Sequence, residues 1–358
     1  MSKKLMKGCE AIGEAAIYAG AKNYFCYPIT PQSEVAEYLS RRMPEVGGVF
    51  LQAESEVAAS NMLFGAGATG VRAFTTSSSP GISLMSEAIS YITAAELPVV
   101  FVNIVRAGPG LGGILPAQGD YFQATKGGGH GDYRLMVLAP STVQEAVDLT
   151  ILAFDKADEY RNPVMVLGDG MIGQMMEPVE FPENYKPKYQ DHSGWATTGC
   201  EGREPHIVKT LFLDPALCDK HNEKMAAKYR RFEESEIRYE EYNMDGEYEV
   251  LIVSYGTMAR ICKTAIEDLS KKGIKVGLLR PISLYPFPRE AVLKAADRKH
   301  VKAVASIEMS MGQMVEDVER AVAGTKKVSF FGHAGGIVPT PDEIIEFVSS
   351  LAKRPEGV

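Results

Sequence analysis

Pro98-Val-Val-Phe-Val-Asn-Ile-Val105 is an apolar run interrupted only by Asn103. Its shortness and its valines suit a strand covered on both faces better than a buried helix. Upstream, Asn23-Tyr-Phe-Cys-Tyr27, Gly48-Val-Phe-Leu-Gln52 and Arg72-Ala-Phe-Thr-Thr76 read as further strands. Downstream, Leu135-Met-Val-Leu138 and Pro163-Val-Met-Val-Leu167 do the same. Helical apolar spacing fills the gaps at residues 11–19, 32–42, 57–66, 83–95 and 142–157. This alternation predicts an α/β unit over residues 1–180, with a mainly parallel sheet wrapped by helices.

Residues 181–246 break the rhythm. Pro182, Pro187, Gly194, Gly199, Gly202, Pro205 and Pro215 punctuate a polar stretch, read as a linker and excursion. A charged helix is expected at about 222–242, with Met225, Tyr229 and Phe232 on one side and a solvated face elsewhere. A second α/β unit is expected over 247–358, with strands at 248–254, 275–279, 301–307 and 327–331. Its helices fall at 258–271, 289–296, 311–322 and 341–352.

The 358-residue chain carries a net charge of −8, which argues against nucleic acid or an anionic membrane as partner. The segment Met1-Ser2-Lys3-Lys4-Leu5-Met6-Lys7 is basic without a following apolar stretch, and no apolar run reaches membrane-spanning length. A cytoplasmic protein is expected. Cys9, Cys26, Cys200, Cys218 and Cys262 show no Cys-x-x-Cys spacing, so reduced thiols are expected and any iron–sulfur chemistry belongs to another chain.

Some motifs mislead. Gly108-Pro-Gly-Leu-Gly-Gly113 matches G-x-G-x-x-G, yet Pro116 and Gly119 break the helix that a dinucleotide site requires, so a loop is expected. Gly168-Asp-Gly170 resembles the opening of the diphosphate motif of thiamine enzymes, but no asparagine follows at the right distance to complete a Mg²⁺ site. An acidic turn at a strand end is the expectation there. His130, in Gly127-Gly-Gly-His-Gly131, is read first as a hydrogen-bonding fixture of a glycine loop.

Three segments fall at strand ends, where open α/β sheets bind ligands. In Tyr27-Pro-Ile-Thr-Pro-Gln-Ser33, two prolines stiffen a turn around Thr30, whose plain alternative is to cap the next helix, with Pro31 in its first position. In Gln52-Ala-Glu-Ser-Glu-Val-Ala-Ala59, Ser55 or Glu54 could cap a helix with Glu56 in its first turn, which the helix dipole alone would justify. Arg106 follows the buried strand into a glycine loop, suited to clamp a carboxylate or else to form a surface ion pair.

Together, Tyr27-Pro-Ile-Thr-Pro31, Glu54-Ser-Glu-Val-Ala-Ala59, Ser77-Ser-Ser-Pro-Gly-Ile-Ser-Leu-Met-Ser-Glu-Ala88, Gly128-Gly-His-Gly-Asp132, Leu138-Ala-Pro-Ser-Thr-Val-Gln-Glu-Ala146 and Leu278-Leu-Arg-Pro281 resemble the alpha subunit of 2-oxoacid:ferredoxin oxidoreductases. The resemblance covers nearly the whole chain. It implies a pyrimidine-binding domain of thiamine enzymes over 1–180 and a transketolase C-terminal type domain over 247–358. It further implies thiamine diphosphate shared with a beta subunit, which holds the diphosphate and Mg²⁺, and 4Fe–4S clusters on partner subunits. A gamma subunit, a ferredoxin-like subunit or domain, ferredoxin as acceptor and a dimer of heteromers belong to the same expectation.

In that family a glutamate matching Glu56 hydrogen-bonds the aminopyrimidine and lets the cofactor deprotonate its own thiazolium carbon. A 2-oxoacid is then decarboxylated, electrons pass to the clusters and coenzyme A takes the acyl group. Thr30 and Arg106 match positions that hold the substrate's carboxylate and carbonyl end. The expected substrate is a branched 2-oxoacid such as 3-methyl-2-oxobutanoate, with 2-oxoglutarate second. A catalytically idle docking subunit and a nicotinamide dehydrogenase are the rival readings.

Overall fold

The computed structural model describes residues 3–353, so Met1 and Ser2 of the basic N-terminal segment lie outside it. The first part of the chain runs β1 (Lys4–Lys7), α1 (Gly8–Tyr18), β2 (Asn23–Cys26), α2 (Ser33–Glu45), β3 (Val49–Gln52), α3 (Glu56–Ala68), β4 (Ala73–Ser77), α4 (Pro80–Ala94) and β5 (Val99–Val105). After a long loop containing a π-helical turn at Gln123–Gly127 come β6 (Met136–Leu138), α5 (Val143–Tyr160), β7 (Val164–Asp169), α6 (Gly170–Gln174) and β8 (Met176–Val179). Every residue of β5 is buried, because helices cover both faces of the sheet in which it lies. β5 pairs in parallel with β4 and β7, and all the strands read from the sequence of residues 1–180 align in that one sheet. Sheet side chains pack against α3 and α4 on one face, around Phe101 and Leu63, and against α1 and α5 on the other, around Phe74 and Ile12. The antiparallel pair β1–β8 was not legible in the sequence, being short and joined over a long separation.

The expected helix at 222–242 is displaced. It forms as α7 (Pro215–Ser235), started by Asp214, whose Oδ1 accepts from the Ala216 N–H at 2.9 Å, with Pro215 in its first position. It stops at Ser235, and Tyr239-Glu-Glu-Tyr242 forms β9 instead, the two-residue alternation of a strand. α7 is more than a solvated face: Phe232 is fully buried, edge-on to Tyr160 at 4.7 Å. The polar stretch before it also packs closely. Arg72 binds Asp155 and Asp158 at 2.9 and 2.8 Å and the Lys188 carbonyl at 3.1 Å, while His192 bonds the Gly70 carbonyl at 2.6 Å.

The second unit contains β10 (Val250–Val253), α8 (Gly256–Lys271), β11 (Val276–Pro281), β12 (Ser283–Tyr285), α9 (Arg289–Ala296), β13 (Ala303–Glu308), α10 (Met314–Val322), β14 (Val328–Gly332) and α11 (Pro341–Ala352). Its sheet has the order β14-β13-β10-β11-β9, parallel except for β9. β12 leaves it and pairs antiparallel with β6, which makes a seven-stranded first sheet of order β12-β6-β7-β5-β4-β2-β3. Arg280 reinforces the seam, gripping Glu145 through both terminal nitrogens at 2.9 and 2.6 Å and Glu240 through Nε at 2.6 Å.

Candidate functional site

The ends of β3, β4 and β5 bring the site together. Ala53-Glu-Ser55 turns the chain from β3 into α3, and the Ser55 hydroxyl caps that helix by accepting from the Ala58 N–H at 3.1 Å. Glu56 is therefore the first residue of α3, while Glu54 stays exposed. Helix-dipole stabilisation needs no burial, yet Glu56 is only 5% exposed. No side-chain or backbone donor is bonded to its carboxylate among the described residues. The carboxylate is thus left free to accept a hydrogen bond, in a residue that is otherwise enclosed.

Gly81, at the start of α4, closes the other side. A Cβ there would stand 2.8 Å from Glu56 Oε1 and 2.0 Å from Ser77 Oγ, so glycine leaves both side chains room to hold these positions. A carboxylate in this setting is the kind of acceptor that a planar hydrogen-bonding ring uses. The aminopyrimidine of thiamine diphosphate is such a ring.

Thr30 caps nothing: the N-cap of α2 is Gln32, and Pro31 precedes the helix rather than opening it. Rigid side chains pin the turn instead. The Pro31 carbonyl accepts from Gln174 Nε2 at 3.0 Å, and the Thr30 carbonyl accepts from Arg106 Nη1 at 3.0 Å. Thr30 itself is exposed. Arg106 is 7% exposed, so it is not a surface ion pair. Its Nη2 donates to the Leu111 carbonyl at 3.1 Å, and its Nε is buried without a partner. A guanidinium has five N–H donors, of which two are spent here. Thr30 and Arg106 are thus joined directly. Glu56 bonds to neither; Ser79, two residues before Gly81, accepts through Oγ from the Arg106 N–H at 3.0 Å.

The loop from Gly108 to Gly113 folds back on itself, with the Gly113 N–H bonded to the Ala107 carbonyl at 3.0 Å, and opens no helix. Asp169 ends β7 and caps α6, accepting from the N–H groups of Met171 and Ile172 at 2.9 and 3.2 Å. Burial pushes its carboxyl up, against the lowering effect of Thr257 and those two amides. It is the acidic turn expected there. His130 lies exposed, its ring edge-on to Tyr91 at 5.7 Å, and only its carbonyl is bonded, by Ser90 Oγ at 2.7 Å.

Sequence reasoning missed Asp120, whose Oδ2 accepts from Ser79 Oγ at 2.7 Å and from Asn103 Nδ2 at 2.9 Å. Burial pushes this carboxyl up, while Ser79 and Asn103 act to lower it. An acid in a loop after a broken glycine run gives no signal, because its partners come from β5 and from the turn after β4. Beside it, a cavity of about 260 Å³ runs between the two units, lined among others by Pro109, Ala117, Met309 and Met311, with no cationic residue in its wall.

The fold is that of the thiamine enzymes. Residues 14–241 match the family model for the thiamine-diphosphate-binding part of pyruvate flavodoxin/ferredoxin oxidoreductase, and residues 248–344 match that for core domain II of pyruvate:ferredoxin oxidoreductase. The chain is 47% identical to the ketoisovalerate oxidoreductase subunit VorB of Methanothermobacter thermautotrophicus, over 98% of this chain and 99% of that one. It is 35% identical to the 2-oxoglutarate synthase subunit KorA of Methanocaldococcus jannaschii, over 96% and 98% of the two. Among solved structures, a 2-oxoglutarate:ferredoxin oxidoreductase from Magnetococcus marinus superposes with a TM-score of 0.89 at 26% identity. That match covers 98% of this chain but only 66% of the longer one. A transketolase from Campylobacter jejuni, at 11% identity and a TM-score of 0.58, shares the fold alone. The chain belongs to the 2-oxoacid:ferredoxin oxidoreductase family.

Proposed function

We propose that this chain is the alpha subunit of a complex that oxidatively decarboxylates a branched 2-oxoacid, 3-methyl-2-oxobutanoate first, to an acyl-CoA and CO₂ with reduction of ferredoxin. The observation that carries the reading is the carboxylate of Glu56, unpartnered among the described residues, in an enclosed residue beside Gly81. Thiamine diphosphate, when bound, supplies the carbanion chemistry that 2-oxoacid decarboxylation needs. Glu56 would hold the aminopyrimidine by accepting a hydrogen bond from a protonated ring nitrogen. Arg106, with three unspent donors, and the Thr30 hydroxyl would orient the 2-oxoacid's carboxylate end. The first unit, residues 1–180, is the pyrimidine-binding part, residues 181–246 the excursion, and 247–358 the transketolase C-terminal type part.

Partner chains supply the rest. No group of three or more His, Cys, Asp or Glu suited to a metal occurs among the described residues, and all five cysteines are free. We assign the diphosphate and Mg²⁺ to a beta subunit, the 4Fe–4S clusters to partner subunits, among them a ferredoxin-like subunit or domain, and the assembly to a cytoplasmic dimer of heteromers that includes a gamma subunit. Exposed apolar side chains near the site, Leu111, Ile114, Leu115 and Met311, supply a surface for such a partner. No helix of the described residues is long and apolar enough to cross a membrane.

The choice of a branched substrate is supported by two facts. The 47% relative is a ketoisovalerate oxidoreductase subunit, and the wall of the cavity beside the Arg106 loop, which includes Asp120, Ser310 and Gln313 among small and apolar residues, carries no cation. A second carboxylate, as in 2-oxoglutarate, would need a cation there. The test is CoA-dependent dye reduction by the anaerobically assembled complex with a panel of 2-oxoacids. The highest kcat/KM is expected with 3-methyl-2-oxobutanoate. A preference for 2-oxoglutarate would overturn the substrate assignment, and assembly without any turnover would favour an idle docking subunit.

A further inference from the structure

Ser79 adopts φ 21° and ψ −78°, a conformation that residues with a side chain rarely take. Two neighbours hold it there. Its N–H donates to Asn103 Oδ1 at 3.1 Å, and its Oγ donates to Asp120 Oδ2 at 2.7 Å. Asn103 Nδ2 donates to the same Asp120 oxygen at 2.9 Å, which fixes the amide so that its oxygen faces Ser79. The ring of three is closed.

Its direction matters for the site. With its one proton given to Asp120, Ser79 Oγ keeps a lone pair for the Arg106 N–H at 3.0 Å. The competing acceptor is the Arg106 carbonyl at 3.3 Å from the same hydroxyl. Without Asp120 the hydroxyl proton would turn to that carbonyl, and the Asn103 amide would be free to flip. Two residues on, Gly81 lies so near Glu56 that a Cβ would stand 2.8 Å from Oε1, so a small relaxation of the turn moves the wall of the cradle.

We infer that Asp120 is a positioning residue: through Ser79 it sets both the Arg106 backbone and the turn that lays Gly81 against Glu56. This rests on the reading of Glu56 and Arg106 as the site. Asp120 touches neither the cofactor cradle nor the guanidinium; it references two strand ends to one carboxylate. It also borders the cavity beside the Arg106 loop, which places this reference point between the turn and the space assigned to the substrate.

The test uses the assembled complex with Asp120→Ala, Asp120→Asn, Ser79→Ala and the Asp120→Ala/Ser79→Ala double variant. Asp120→Ala and Ser79→Ala are each expected to lower kcat/KM for the 2-oxoacid by roughly 10- to 100-fold, the scale of a sub-ångström to 1 Å misplacement. The KM for CoA should stay within about twofold, because only the 2-oxoacid end is misplaced. The double variant should be no worse than the poorer single one, since both break the same link. Asp120→Asn should recover most of the loss, its amide oxygen still accepting from Ser79 and Asn103. Normal turnover in Ser79→Ala, multiplicative losses in the double variant, or an Asp120→Asn enzyme as poor as Asp120→Ala would overturn the inference. If Asp120→Ala does not assemble, Ser79→Ala and Asp120→Asn still decide it. A Glu56→Gln enzyme that turns over normally would instead overturn the underlying site reading; inactivity there with normal Ser79→Ala and Asp120→Ala enzymes overturns only the positioning role.

Discussion

Replacing Arg106 by lysine removes a planar fork from a place where its geometry is used. Nη1 and Nη2 reach two carbonyls in different segments, Thr30 at 3.0 Å and Leu111 at 3.1 Å, while Nε and one N–H on each terminal nitrogen remain for a ligand. A lysine ammonium offers three donors from a single point, so it cannot span both carbonyls and still present two parallel donors to a carboxylate. Loss of one hydrogen bond to a charged group costs about 1.5–3 kcal/mol, which converts to roughly 10- to 100-fold in kcat/KM. The KM for the 2-oxoacid should rise, because the carboxylate that is gripped in the bound substrate, and later leaves as CO₂, loses its bidentate partner. Thr30→Val, which removes the hydroxyl but keeps the carbonyl that Arg106 grips, should raise KM only a few-fold. Steady-state kinetics in the assembled complex measure both. A lysine variant with unchanged KM and kcat would refute the clamp and leave Arg106 as a tie between two loops.

Phe232→Ala should destabilise the chain by about 3–5 kcal/mol, the scale of a deleted buried aromatic, because this ring is fully enclosed against Tyr160 and Tyr229. Denaturant unfolding of the chain measures this, and a change under about 0.5 kcal/mol, the size of a surface substitution, would contradict the burial of α7. Purified alone, the chain should be inactive and free of iron and acid-labile sulfide, given its scattered free cysteines; stoichiometric cluster content would count against that. Acid should weaken the fold. Burial opposes it, but Arg280 holds the carboxyls of Glu145 and Glu240 below the usual 4.5, helped at Glu240 by Lys263, and Lys228 with Lys224 holds Glu96 down to about 2. Carboxyls with depressed values contribute stability that is complete above about pH 5 and is lost as pH falls through their folded-state values. Arg280→Met should therefore flatten the stability–pH slope below about pH 5, and equal slopes in variant and wild type would contradict it.

The parallel sheet was legible because strands buried on both faces are continuous apolar runs, and α/β alternation admits few topologies. The same logic failed at the edges. β12 is three residues long and joins the first sheet from within the second unit, a choice made by pairing and not by local pattern. α7 was shifted because its charged composition hides the Asp214-Pro215 start, while Tyr239-Glu-Glu-Tyr242 alternates as a strand does. At the site, Glu56 fell in the first turn of α3 as its local sequence predicts, but its burial beside Gly81, which is remote in sequence, is not written in that local pattern. Thr30 did not cap α2, because Arg106 and Gln174 hold that turn by its carbonyls. Asp120 carried no signal at all, since its role exists only where the ends of two strands meet its loop.

The central claim, that Glu56 activates the cofactor, is tested most directly by turnover of a Glu56→Gln complex with Glu54→Gln as the control. The substitution keeps the shape of the side chain and gives up only a first-turn dipole interaction of about 0.3–1 kcal/mol, so folding, assembly and thiamine diphosphate binding should persist. An amide cannot serve as the carboxylate opposite the pyrimidine nitrogen, so turnover should fall by roughly 10²-fold or more. Glu54 is exposed, and its glutamine variant should remain active. Near-normal turnover in an assembled, cofactor-loaded Glu56→Gln enzyme, or a collapse confined to Glu54→Gln, would contradict the account.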